Sequence, residues 1–279
     1  MMSEIQDNFE NLLGPGMKLW QQIFLIGFLL FAVGLGVLYA TQNPVLFPTV
    51  VLLGNFLIPI TFVVFLYQNR QFSRLPLANV ILGFLYGGAL AVFLASVLES
   101  ALITQLTFGT AFSVGLIEEL AKILPLFLIA RNLKHNVQTN GIILGVAIGM
   151  GFAALESTGY SFVAFLESGG SLTLSVGVLV LRGLLSPAAH GAWTGILAGI
   201  IFRESRMFSF RIDFWVVLAF LGVSALHGLW NGLSLVLTDF VSPVLSALVI
   251  TFLIGGISLA LLAFLWQEAK RRQVDKKEF

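Results

Sequence analysis

Three acids, two histidines and a lysine lie in stretches that are otherwise almost wholly apolar: Glu118, Glu119, Lys122, Glu156, His190 and His227. A charged group at bilayer depth costs ~2.5–3.5 kcal/mol or more unless it is paired. These residue types suit one kind of chemistry. A buried carboxylate beside a lysine or an imidazole can act as a general base for water. Two neutral imidazoles and a carboxylate are also a zinc ligand set with one position left open, which makes Zn2+ the cofactor expected at a metalled site. Both routes lead to hydrolysis, and the residues alone leave both open. The chain has no cysteine, so disulfides, thiolate metal sites and a cysteine nucleophile are excluded. His-Glu-x-x-His, Gly-x-Ser-Gly and Gly-x-Gly-Asp signatures are absent as well.

The elements that must position these residues are membrane spans. The chain is 279 residues long, 58% hydrophobic and 10% charged, against roughly 25% charged in a soluble domain. Spans of ~20 apolar residues are expected at about 19–41, 45–67, 77–98, 105–130, 140–166, 173–202, 213–237 and 243–267. The expected fold is therefore all-α, a polytopic membrane helix bundle of about eight transmembrane helices. It forms a single membrane-embedded domain over 1–279, with a catalytic core at about 105–237, outer helices at 19–98 and 243–267, and a basic cytoplasmic tail at 268–279. Short connections make neighbouring helices antiparallel. Glu4, Asp7 and Glu10 precede the first span and are the wrong flank for a cleaved signal peptide, so that span is expected to be retained.

The basic residues orient the bundle. Lys18, Arg70, Arg74, Arg131, Lys134, Arg203, Arg206, Arg211 and the tail "KRRQVDKK" all fall on one side of an eight-span arrangement. The opposite loops hold only Glu99, Glu167 and Asp239. The positive-inside rule then places both termini in the cytoplasm, as expected of an integral plasma membrane protein, with the tail as a leaflet anchor. Lys122 and Arg182 remain inside the membrane. The sixth span is longer than the bilayer needs and carries Pro187 mid-run, which predicts a kinked or broken sixth helix near Ser186–Pro187.

Counted inward from the cytoplasmic end of each span, Glu118, Glu119, Glu156, His190 and His227 lie at roughly equal depth, within a slab ~8 Å thick at ~1.5 Å per residue. They come from four consecutive spans. Glu118 and Lys122 share a helix face, as do Arg182, Ser186 and His190, and His227 and Asn231. Glu119 is turned about 100° from Glu118, so one carboxylate is free to work on substrate while the other braces a neighbour. Arg182 is in a position to cap a carbonyl or pair with Glu156. The stretches "HGAWTG" (190–195) and "HGLWNG" (227–232) place a glycine after each histidine, which allows close helix approach. Trp193 and Trp230 read as packing, and His135 as an ordinary loop residue.

Taken together, Glu118-Glu119-x-x-Lys122, Phe152-x-x-x-Glu156, Pro187-x-x-His190 and His227-x-x-x-Asn231 resemble, in order and spacing, the PrsW family of intramembrane proteases over roughly residues 112–235. More distantly they resemble the CAAX-processing and Abi membrane proteases, with Lys122 standing for an arginine and Glu156 for a histidine. That departure favours the PrsW branch. The resemblance implies a peptidase that cuts a membrane-anchored protein substrate, single-span and anti-sigma-factor-like, in a site-1-type first cleavage. The enzymes it resembles include both metalloproteases and glutamate proteases. It further implies Glu118 as the water-activating base and Glu119 as its positioner or the holder of Lys122. Glu156, His190 and His227 would bind metal or water, Asn231 would stabilise the oxyanion, and Arg182 and Ser186 would support the set. The lipid bilayer is the other partner expected, and nucleic acid is not. Two other functions fit midplane acids: a proton- or ion-coupled transporter, against which no convincing inverted repeat is found, and a non-catalytic membrane immunity or partner protein.

Overall fold

The computed structural model describes residues 16–70, 73–131, 133 and 137–275. The acidic flank of the first span, Lys134, His135 and the last residues of the basic tail lie outside them. Among the described residues eight helices follow one another: α1 (Leu19–Thr41), α2 (Leu46–Gln68), α3 (Leu77–Leu102), α4 (Phe108–Ala130), α5 (Gln138–Glu167), α6 (Leu172–Glu204), α7 (Phe214–Thr238) and α8 (Pro243–Gln273). Helix is the form in which a chain this apolar satisfies its backbone without water. The starts are marked by side chains that accept exposed backbone N–H groups: Thr107 for α4, Ser171 for α6, Asp213 for α7 and Ser242, followed by Pro243, for α8. Seven of the eight are long and apolar enough to cross a membrane; α4 is the exception. Glu118, Glu119 and Lys122 fall within any 18-residue window of it, so the helix that departs from membrane composition is the one that carries the paired acids.

Of the kink or break expected near Ser186–Pro187, the structure excludes the break. Helix α6 runs without interruption through Pro187 for 33 residues, about 50 Å of helix. A proline removes one backbone hydrogen bond and crowds the carbonyl four residues back, here that of Gly183. Gly183 is buried against Gly54 and Asn55 of α2, and the next turns are clamped by α5, so surrounding protein holds the helix together. Pro59 in α2 and Pro125 in α4 are likewise inside continuous helices. The irregular backbone lies elsewhere, in single π-turns at Gly87–Ala91 of α3 and Thr251–Gly255 of α8.

Helix α5 is the centre of the bundle, buried along nearly its whole length, whereas α1 is almost wholly at the periphery. Its chief neighbour is α6; α4 pairs mainly with α7, and α2 and α3 cover another side of α5. Small residues set both main approaches. Gly141, Gly145 and Gly149 form one stripe of α5, and a methyl on any of them would run into the carbonyls of Ala198, Thr194 or His190. That stripe draws the backbone of His190 against α5. A methyl on Gly115 of α4 would lie 2.5 Å from the Ser224 carbonyl and 3.2 Å from His227 Cβ, and one on Gly228 would meet Phe112. This second contact brings the Glu118–Glu119 turn onto His227.

Candidate active site

The four central helices converge on Lys122, which is fully buried. Its Nζ donates to Glu119 Oε1 at 2.7 Å and to His190 Nδ1 at 2.9 Å, and stands 3.6 Å from Glu118 Oε2. The ammonium also lies 4.0 Å above the ring of Phe152. The two contacts within α4 follow from helix periodicity. Glu119 and Glu118 are three and four residues before Lys122 on α4, while His190 and Phe152 arrive across the α4–α5–α6 junction. A buried ammonium between two carboxylates has the counter-charges and hydrogen bonds that burial demands.

Glu119 is locked in place. Its Oε1 accepts from Lys122 and also lies 3.1 Å from His227 Nδ1. With the Nδ1 proton on this bond, His227 Nε2 keeps a lone pair, 3.6 Å from Glu118 Oε2. His190 is held the other way round. Lys122 donates into its Nδ1, so the ring proton belongs on Nε2, which stands 3.2 Å from Glu156 Oε2. Glu156 in turn forms an ion pair with Arg182 at 2.8 Å, and the Arg182 guanidinium lies over the ring of Tyr160. Arg182 is therefore the counter-ion of Glu156.

Glu118 differs from Glu119 in what it faces. Together with Glu156, Glu99, Phe152 and Tyr160 it lines a cavity of about 210 Å³ between α3, α4 and α5. It is 4% exposed, and its Oε2 has no hydrogen-bond partner. Glu119 Oε2 is also without one, but Glu119 is not on the cavity wall.

Donor atoms of Glu118, His190 and His227 lie within 4.8 Å of one another. Two imidazoles, a carboxylate and orphaned carboxylate oxygens fit a divalent metal of the zinc type, and Glu119 on His227 Nδ1 is the kind of carboxylate that orients a ligating imidazole. The carboxylate grouped with the two histidines is Glu118, where the sequence pattern pointed to Glu156; Glu156 is engaged with Arg182 and the far nitrogen of His190. Lys122 holds the Nδ1 lone pair of His190, so that nitrogen would join a metal's donors only with Lys122 moved aside.

Of the other residues singled out from sequence, Ser186 is buried one turn before His190 with no hydrogen-bond partner for its Oγ. Asn231 is half-buried, one turn after His227, and joins none of these contacts among the described residues. Two contributors were not legible. Glu99 belongs to the last turn of α3, not to a loop; an acid just past an apolar run reads as an ordinary helix end. Trp193 stacks on His227, with centroids 4.4 Å apart and planes at 24°, and meets His190 edge-on. Its Nε1 donates to Ser258 Oγ at 2.8 Å, so α8 braces the histidine pair. Only the i,i+3 spacing of Trp193 from His190 hinted at this.

Comparison with known proteins agrees with this geometry. The family described as PrsW family intramembrane metalloprotease matches residues 75–257, more than half of the chain, reaching from α3 into α8. A protein named Protease PrsW from Halalkalibacterium halodurans is 28% identical over 177 residues, covering 61% of this chain and 77% of that protein. No solved structure matches. Paired acids, two histidines and a lysine are thus gathered inside a helical membrane bundle whose sequence matches one family of peptidases over most of its spans, and the chain belongs to the PrsW family of intramembrane metalloproteases.

Proposed function

We propose that this protease hydrolyses a peptide bond of a single-span, anti-sigma-factor-like membrane protein, as a first cut, with Glu118 as the group that takes a proton from the attacking water. The observation that carries the assignment is the unequal placement of the two adjacent acids. Glu118 lines the cavity with an unpartnered oxygen, whereas Glu119 is tied to Lys122 and His227 away from it.

Water in the cavity meets Glu118 and gives up a proton to it, and the protonated carboxyl then serves the departing amine. Lys122, 3.6 Å away, supplies the counter-charge. Glu119 sets the tautomer of His227, and Glu156 that of His190, so both rings keep a fixed orientation. Glu118, His190 and His227 would hold a divalent metal such as Zn2+, whose chemistry there is that of a Lewis acid for the scissile carbonyl. Where Glu118 serves as such a ligand, Glu156 on the same wall is the acceptor for the water's proton. The basic ends of α2, α4, α6 and α8 support cytoplasmic termini in a plasma membrane. The core at about 105–237 supplies all of these groups, α3 closes the cavity and α8 braces Trp193.

The test is cleavage of a single-span reporter in proteoliposomes by Glu118→Gln and Glu119→Gln, with thermal melting of each. Glu118→Gln should lower kcat by about 10²–10⁴-fold with little change in melting, because its Oε2 accepts no hydrogen bond. Glu119→Gln should lower both. Full activity of Glu118→Gln would exclude the assignment.

A further inference from the structure

One carboxylate on the cavity wall has no part in the hydrolytic set. Glu99 lies three residues before the end of α3. Its Oε1 is buried without a hydrogen-bond partner, and among the described residues it forms no salt bridge. The other two acids on the wall each have a cation: Glu156 has Arg182 at 2.8 Å and Glu118 has Lys122 at 3.6 Å. Glu99 is therefore the acid on this wall with no cation beside it among the described residues. A buried acceptor left without a donor is costly; besides Glu156, whose oxygen meets Arg182 as an ion pair, Glu118, 96% buried by its 4% exposure, also presents an unpartnered oxygen on this wall. Apart from Ser96 and Gly159, the rest of the lining is apolar or aromatic: Val92, Ala95, Phe152, Leu155, Tyr160 and Val163.

We infer that this cavity receives the substrate segment beside the scissile bond, and that Glu99 selects a lysine or arginine of that segment. The inference rests on the proposed role of Glu118. The apolar lining suits the aliphatic stem of a basic side chain, and Glu99 its charged head. Glu118 and Glu99 share a cavity of only about 210 Å³, so the basic residue lies within a few positions of the bond cut. Helix α3 ends just beyond Glu99, opposite the basic loops, which puts that residue on the outer side. Basic residues concentrate at the cytoplasmic flank of single-span proteins, so one at the outer flank is a selective mark.

The experiment uses full-length enzyme in proteoliposomes and a set of single-span reporters. Lys, Ala or Glu is placed in turn at successive positions on the outer side of the cleaved bond. At one position the wild type should favour Lys over Glu by about tenfold or more in kcat/KM, the lower end of what close charge pairs give. That ratio should fall to near one in Glu99→Gln and invert in Glu99→Lys. Each ratio is taken within one variant, so a lower yield of folded enzyme cancels. No preference at any position in the wild type would overturn the inference, as would a preference that survives Glu99→Gln. Cleavage indifferent to both residue 99 and Glu118→Gln would instead remove the hydrolytic assignment, and the inference with it.

Discussion

Replacing Lys122 with methionine tests the architecture of the site most directly. The methionine keeps the length of the stem and its contact with Phe152 but removes the charge. At an effective dielectric of ~20, an ammonium attracts a carboxylate by about 6 kcal/mol at 2.7 Å and about 5 kcal/mol at 3.6 Å, the two separations found here for Glu119 and Glu118. Desolvating three charged groups costs several kcal/mol each, so most of that attraction is offset in the intact site. In Lys122→Met the cost of burying the acids remains and the attraction is gone. Removing one partner of a buried pair costs about 3–5 kcal/mol. With Lys122 and Glu119 both fully buried, there is no solvent screening to reduce that. For a chain of this size such a loss lowers the melting temperature by about 10 °C. The assay is thermal melting of the purified protein in a fixed detergent, alongside reporter cleavage. The double variant Lys122→Met, Glu119→Gln removes one of the stranded charges and should regain about 1.5–3 kcal/mol through their coupling. Melting of Lys122→Met within about 1 °C of the wild type would refute the reasoning, and so would a double variant no more stable than the single one.

Two further outcomes follow from the same contacts. Chelation of the purified enzyme should abolish reporter cleavage and Zn2+ should restore it, with metal content followed by elemental analysis; full activity of verifiably metal-free protein would leave the hydrolysis to Glu118 and its neighbours alone. Trp193→Phe keeps an aromatic ring against His227 but removes the donor to Ser258, so it should lower kcat several-fold with KM unchanged and cost about 1 kcal/mol of stability. Equal activity of Trp193→Phe and the wild type would show that α8 does not brace the histidines.

Much of the bundle was legible because lipid imposes a simple rule. Helix α5 begins at Gln138 and α7 at Phe214, each within two residues of the expected start, since an apolar run long enough to cross leaves the backbone no alternative to helix. The same rule explains the shared depth of Glu118, Glu156, His190 and His227, because rise per residue converts sequence position into height. It left open whether Pro187 would kink its helix or break it, and α6 is continuous. Whether a proline breaks a helix depends on what packs around it, and the clamps on α6 come from Gly54 and Asn55 of α2 and the glycine stripe of α5.

What the sequence by itself determined is height and helix face: which residues come to one level of the bundle, that Lys122 shares a face with Glu118, and that four consecutive spans supply the polar groups. The tertiary structure decided how those groups are shared out. Glu119 went to Lys122 and His227, Glu156 to Arg182, and Glu118 to the cavity, with Glu99 joining it from a helix outside the four. The physical reason is that periodicity orders residues along and around one helix, whereas the azimuth of one helix against the next is set by where side chains are small enough for backbones to touch. Gly115 against Ser224, and Gly149 against His190, made those choices, and they are contacts between residues roughly 40 to 110 positions apart.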